Sequence, residues 1–139
     1  VSGVLFGRPF AFREGLLVDG RSRFILTPAL FDPCLQLHPL PAWERFEQRI
    51  AELPRMDRDV VRLRRLLVSA ALECELDRGG RVLVPPHLRE RAELGKDVVW
   101  AGMGDSIELW SKERWDAALA MTPEEEAAFQ QAVTEQFRI

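Results

Sequence analysis

The 139-residue chain has no tyrosine and no asparagine, and it has only two cysteines, two histidines and two lysines. Each shortage narrows the possible functions. No apolar run approaches the roughly 20 residues needed to cross a bilayer, and the first residues lack the charged-then-apolar pattern of a secretory signal. Both absences point to a soluble cytoplasmic protein. Cys34 and Cys74 have no metal-type spacing, and a lone pair in a chain of this size reads as two buried thiols rather than a disulfide. A catalytic nucleophile needs a base and a group to orient that base. His38 and His87 each adjoin a proline and have no partner motif, so no catalytic, metal or cofactor site is expected and the chain reads as a non-enzyme. The absence of thermolabile Asn beside many Glu and Arg hints at a hot or GC-rich source.

A formal charge of -3 argues against coating nucleic acid by bulk electrostatics, yet it leaves room for a local basic patch. Lys96 and Lys112 are the only lysines. Arginine therefore supplies almost all the positive charge, and arginine is the better residue for bidentate contacts to phosphates and guanine edges. A hydrophobic fraction of 47% is enough for a real core.

The most informative stretch runs from Glu73 to Arg91. Asp77, Gly79, Gly80 and Arg81 lie between two β-prone runs, the signature of a hairpin turn with positive φ at some positions. Val82-Leu83-Val84 reads as the returning strand, which Pro85-Pro86 must end, and Leu88 opens a short helix. Asp77 stands four residues before Arg81, where its carboxylate can orient the guanidinium. His87 is expected to cap that helix or face solvent, and His38 to pack at a strand end.

Elsewhere, Val1 to Phe6, Phe24 to Thr27, Cys34 to His38, Val98 to Ala101 and Ile107 to Trp110 read as strands. Trp43, Phe46, Ile50 and Leu53 recur at helical spacing between Pro41 and Pro54. A second helix is expected from an Asp57 N-cap through about Glu73, with Arg58, Arg62 and Arg65 on one face. That row is either a phosphate-tracking face or a solvated surface pairing with Asp57, Asp59 and Glu73. Ser111 is an N-cap for a helix carrying Trp115, and Thr122-Pro123-Glu124-Glu125 is a capping box. It opens a last helix with Phe129, Val133 and Phe137 on one stripe, which needs cover from the same chain or from a neighbouring subunit.

The chain also repeats itself. Phe12-Arg13-Glu14 matches Leu88-Arg89-Glu90, Leu35-Gln36-Leu37 matches Ile107-Glu108-Leu109, Gly7-Arg8 matches Gly80-Arg81, and Trp43 matches Trp115. Copies of roughly 50 residues cannot bury much surface alone, so a pseudo-twofold unit with one shared β core is expected. The first copy departs at its hairpin, where Val4 stands four before Arg8, and it is either degenerate or incompletely represented.

In order and in duplicate, these motifs resemble the MraZ family of bacterial transcriptional regulators. The likeness covers essentially the whole chain, from the Cys34 to Trp43 segment through Leu76 to Pro85 to Ile107 to Trp115. It implies an α+β fold of two tandem AbrB-like swapped-hairpin β-barrel halves, with a first half over 1–55, a connecting helix over 56–72, a second half over 73–120 and a C-terminal helix over 121–139. It further implies a ring-shaped homo-oligomer, associated with the nucleoid. The ring would bind double-stranded DNA at short direct repeats upstream of the division and cell wall gene cluster, usually as a repressor. The DNA-contacting arginines carry over to Arg81, with Arg78 beside it, and to Arg8. Asp77 and Gly80 take structural roles in the motif. Arg13 and Arg89 either flank the DNA surface or pair with Glu14 and Glu90. The alternative is an antitoxin-like or other protein-binding module that grips a partner through the C-terminal helix.

Overall fold

Phe24, Ile25, Leu26 and Thr27 are all buried, and a run of aromatic and β-branched residues suits a pleated strand covered on both faces. In the computed structural model, which describes residues 3–6, 17–18, 21–75 and 81–139, they form the centre of β3 (Arg21–Pro28). The other strands are β1 (Gly3–Phe6), β2 (Leu17–Val18), β4 (Leu35–Pro39), β5 (Leu72–Glu75), β6 (Val98–Gly102) and β7 (Ile107–Ser111). The helices are α1 (Leu40–Ala51), α2 (Arg58–Leu63), α3 (Pro86–Arg91), α4 (Lys112–Leu119) and α5 (Pro123–Gln131). π-helical turns extend α2 over Arg64–Val68 and α5 over Ala132–Gln136.

The strands lie in the order β1-β6-β7-β4-β3-β2, with β5 also paired to β3. From β5 through β3, β4 and β7 to β6 every neighbour is antiparallel, whereas β1 lies parallel to β6. Because side chains alternate across a sheet, successive residues feed different cores. Phe24, Leu26, Leu35, Leu37, Val98 and Leu109 face one shared cluster, which Val82, Val84 and Leu88 close. On the other side Ile25 packs with Trp43 of α1 and Leu67, while Cys34, Val99 and Trp110 pack with Trp115 of α4.

The two copies meet at β4 and β7. Leu35 lies opposite Leu109, Gln36 opposite Glu108 and Leu37 opposite Ile107. Exchanging the matched residues of the repeat returns the same three pairs, so this register is symmetric about Gln36 and Glu108. The flanking details repeat as well. His38 Nε2 is 3.3 Å from Gln36 Oε1, and Trp110 Nε1 donates to Glu108 Oε1 at 3.1 Å. Each of these rings then packs on the tryptophan of the following helix, with centroids 5.6 Å apart for His38 and Trp43 and 5.9 Å for Trp110 and Trp115.

The caps act as their residue types require. Asp57 accepts from the amides of Asp59 and Val60, and Ser111 accepts from that of Arg114. Thr122 and Glu125 complete a reciprocal capping box. Two expectations fail. The helix expected to reach Glu73 ends at Val68, and Leu72 to Glu75 become β5, with Arg23 opposite Glu75 and Leu26 opposite Leu72. The ladder outweighs helix propensity here, and the buried Thr27 hydroxyl donates to the Leu67 carbonyl at 3.3 Å, which helps to end the helix. Val82 to Val84 show the buried-exposed-buried alternation of a strand but join no ladder, because β5 pairs with β3 instead.

Candidate nucleic-acid interface

The hairpin motif is staked into the shared core on both sides. Cys74 packs against that core from β5, and Val82, Val84 and Leu88 are buried in it beyond the motif. An ion pair between Arg23 and Glu73 ties β3 to β5 at the foot of the motif. Glu73 is thereby committed to a strand partner and does not serve the arginine row of α2, contrary to the sequence expectation. Arg81 is exposed, one residue before buried Val82. The backbone beside Arg81 is thus fixed by apolar burial while the residue itself is exposed.

Arg78, Asp77 and Gly80 lie outside the described residues, as do Arg8 and Arg13. Of the expected DNA-facing arginines, Arg81 and Arg89 are therefore the two whose places are seen. Arg89 is exposed on α3 and lines an open depression of about 390 Å³ with Pro86, Glu90, Glu93 and Leu94. Among the described residues Arg89 makes no ion pair. The nearby acid that is engaged is Glu93, which pairs with Arg114 of α4 and has a left-handed φ of 53° just past the end of α3. Neither Arg23 nor Arg114 stands out in the sequence, because each finds its partner across the fold rather than along the chain.

The arginine row of α2 lines a separate groove with Arg55, Met56 and Val61. Arg62 lies 3.9 Å from Asp59, an expected neighbour, and both side chains are largely exposed. The remaining titratable groups are built into the packing. Burial, with help from Glu108 and Asp32, pushes the Cys34 thiol up to about 12. Burial and then Glu73 raise that of Cys74, so neither sulfur is poised as a thiolate nucleophile. Burial lowers His38 below its ordinary value against the opposing pull of Asp105. His87 is exposed, and no side chain caps α3. Among the described residues no cluster of His, Cys, Asp and Glu could hold a metal ion, and no helix is long and apolar enough to cross a membrane.

Residues 67–138 match the protein family described as "MraZ protein, putative antitoxin-like". Several curated relatives carry the name Transcriptional regulator MraZ. That of Nitrosococcus oceani is 38% identical over 131 residues, covering 94% of this chain and 86% of its own. That of Thioalkalivibrio sulfidiphilus is 47% identical over 107 residues, covering 77% and 71%. That of Thiobacillus denitrificans is 43% identical over 114 residues, covering 81% and 75%.

Proposed function

This chain belongs to the MraZ family of transcriptional regulators, and from that premise we propose that it is a repressor of the division and cell wall gene cluster. It reads short upstream direct repeats through Arg81, with Arg78 and, in the first copy, Arg8. Asp77 and Gly80 shape the turn, while Arg89 and Arg13 flank the DNA. The chain works in the cytoplasm, at the nucleoid, as a ring of tandem AbrB-like swapped-hairpin units.

The observation that carries this reading is the placement of Arg81, exposed beside a buried valine at the mouth of the duplicated family motif. One such loop is a weak binder. Several on an oligomer reach successive repeats, and linkage multiplies their affinities. An overall charge of -3 is then no obstacle, because only the loops need present positive charge. A bidentate arginine on guanine discriminates by about 1 to 3 kcal/mol, and each neutralised phosphate steepens the salt dependence.

The test is binding of wild type and Arg81→Ala to a labelled fragment of the upstream region across a salt series, with particle mass measured alongside. Wild type should bind sequence-specifically with a steep salt slope. The variant should lose about fivefold to 150-fold in affinity for each guanine contact removed and keep its mass. Equal binding by Arg81→Ala, or a wild type without sequence preference, overturns the reading. A second reading, a module that grips a protein partner, is favoured by the exposure of Phe129 and Phe137 on the last helix.

A further inference from the structure

Among the described residues nothing buries a side chain of the C-terminal helix. From Leu119 to Ile139 no side chain is buried, although Phe129 and Phe137 share a helical stripe with Val133 and remain 53% and 60% exposed. The capping box makes α5 a well-started helix, and Glu124, Glu125 and Glu126 give its first turn three carboxylates. The result is an acidic helix with an aromatic face and no partner among the described residues.

A surface of opposite character lies beside α2. Arg55, Met56, Arg58, Val61, Arg62 and Arg65 line a groove of about 380 Å³. Its apolar part includes Met56, which is 93% exposed, and a flexible thioether side chain packs well against an aromatic ring. Its four arginines stand against two nearby acids: Asp57, which is occupied in capping α2, and Asp59, which lies near Arg62.

We propose that this groove receives α5 of a second copy of the chain. Phe129 packs on Met56 and Val61, and the first-turn carboxylates approach the arginines. This rests on the oligomeric part of the reading above and assigns it a contact. Charge complementarity selects the occupant: an acidic helix matches the arginines, and its aromatic stripe matches the apolar lining, for which a phosphate backbone has no use. Helix and groove are different surfaces, so the contact is head-to-tail. Such contacts close into rings when the rotation per subunit allows it.

The test uses two full-length variants without DNA. Arg58→Glu/Arg62→Glu spoils the groove and keeps the helix; Phe129→Asp/Phe137→Asp does the reverse. All four positions are exposed, and circular dichroism checks that each variant is folded. Sedimentation should show that each variant alone loses mass relative to wild type. Mixed in equal amounts, they should form a species containing one chain of each, because the intact groove of one takes the intact helix of the other. In a second arm, Arg62→Glu and Glu126→Arg should each weaken assembly by about tenfold, and combining them in one chain should restore it. A monomeric wild type, unchanged mass in the variants, or folded variants that fail to complement each other overturns the proposal. Variants that keep their mass but lose DNA binding assign the arginine row to phosphates instead. Arg81→Ala leaves this contact untouched, so failure here and failure of the DNA reading are told apart.

Discussion

Leu109 is fully buried at one end of the ladder that joins the two copies, with Leu35, also fully buried, as its cross-strand partner. Leu109→Ala removes apolar volume that belongs to neither copy alone. Truncation at such a site costs about 2 to 5 kcal/mol, combining lost transfer energy with the cavity left behind. With a urea slope of about 2 kcal/mol per molar for a chain of this size, the midpoint should fall by about 1 to 2.5 M. The informative measurement is where the fall is seen. Trp43 reports on α1 in the first copy and Trp115 on α4 in the second. Single-tryptophan versions can therefore be unfolded with and without Leu109→Ala, at fixed protein concentration because assembly contributes to apparent stability. If the core is shared, Trp43 and Trp115 report coincident transitions that shift together. A transition at Trp43 that stays in place while that at Trp115 moves would refute the shared core, whatever the size of the shift.

Three further outcomes follow from particular contacts. Replacing Glu108 by Gln removes a charge whose carboxylate lies 4.0 Å from Cys34 Sγ. The thiol should then ionise below its value of about 12, though still above an ordinary cysteine because burial is the larger cause; the pH dependence of alkylation reads this, and an unchanged profile would place the carboxylate elsewhere. His38 is held below its ordinary value of 6.5 in the folded chain, so below that pH the unfolded chain binds more protons. The His38 contribution to stability is complete above 6.5 and is lost as pH falls through the folded value, and urea midpoints on both sides of 6.5 should show a fall on the acid side that His38→Phe reduces. Thr122→Ala removes a capping hydroxyl and should cost α5 about 0.5 to 2 kcal/mol. Because α5 buries nothing in its own chain, helical signal should drop while the urea midpoint of the core stays put when measured dilute enough for the chain to be dissociated.

Much of this fold is legible in the residues. The strands β3, β4, β6 and β7 coincide with the apolar runs at Phe24 to Thr27, Cys34 to His38, Val98 to Ala101 and Ile107 to Trp110, and the caps at Asp57, Ser111 and Thr122 mark helix starts to the residue. Helix ends are harder to read. No glycine or proline stops α2 at Val68; it stops because Leu72 to Glu75 find a strand partner in β3 and because Thr27, some 40 residues away, takes a carbonyl. The same competition removes Val82 to Val84 from the sheet, since which strand pairs with which depends on edges that only exist after folding. The parallel approach of β1 to β6 has no local signal. At the candidate interface the exposure of Arg81 follows directly from its place before a buried valine. The partners of Glu73 and Glu93 do not, since each ion pair closes over a long separation in sequence.

The symmetric register at β4 and β7 also bears on which chains mix. A strand that pairs with its own repeat copy in this register can equally pair with the same strand of another molecule, and nascent chains in a crowded cell meet before they finish folding. Gln36 facing Glu108 biases that choice. Two second-copy strands from different molecules would set Glu108 against Glu108, and like charges directly opposite are unfavourable. Two first-copy strands would meet harmlessly as Gln against Gln, but each such match strands a pair of second copies with no good mate. One substitution between otherwise equivalent positions thus favours a first-copy strand on a second-copy strand and discourages the pairing of like copies.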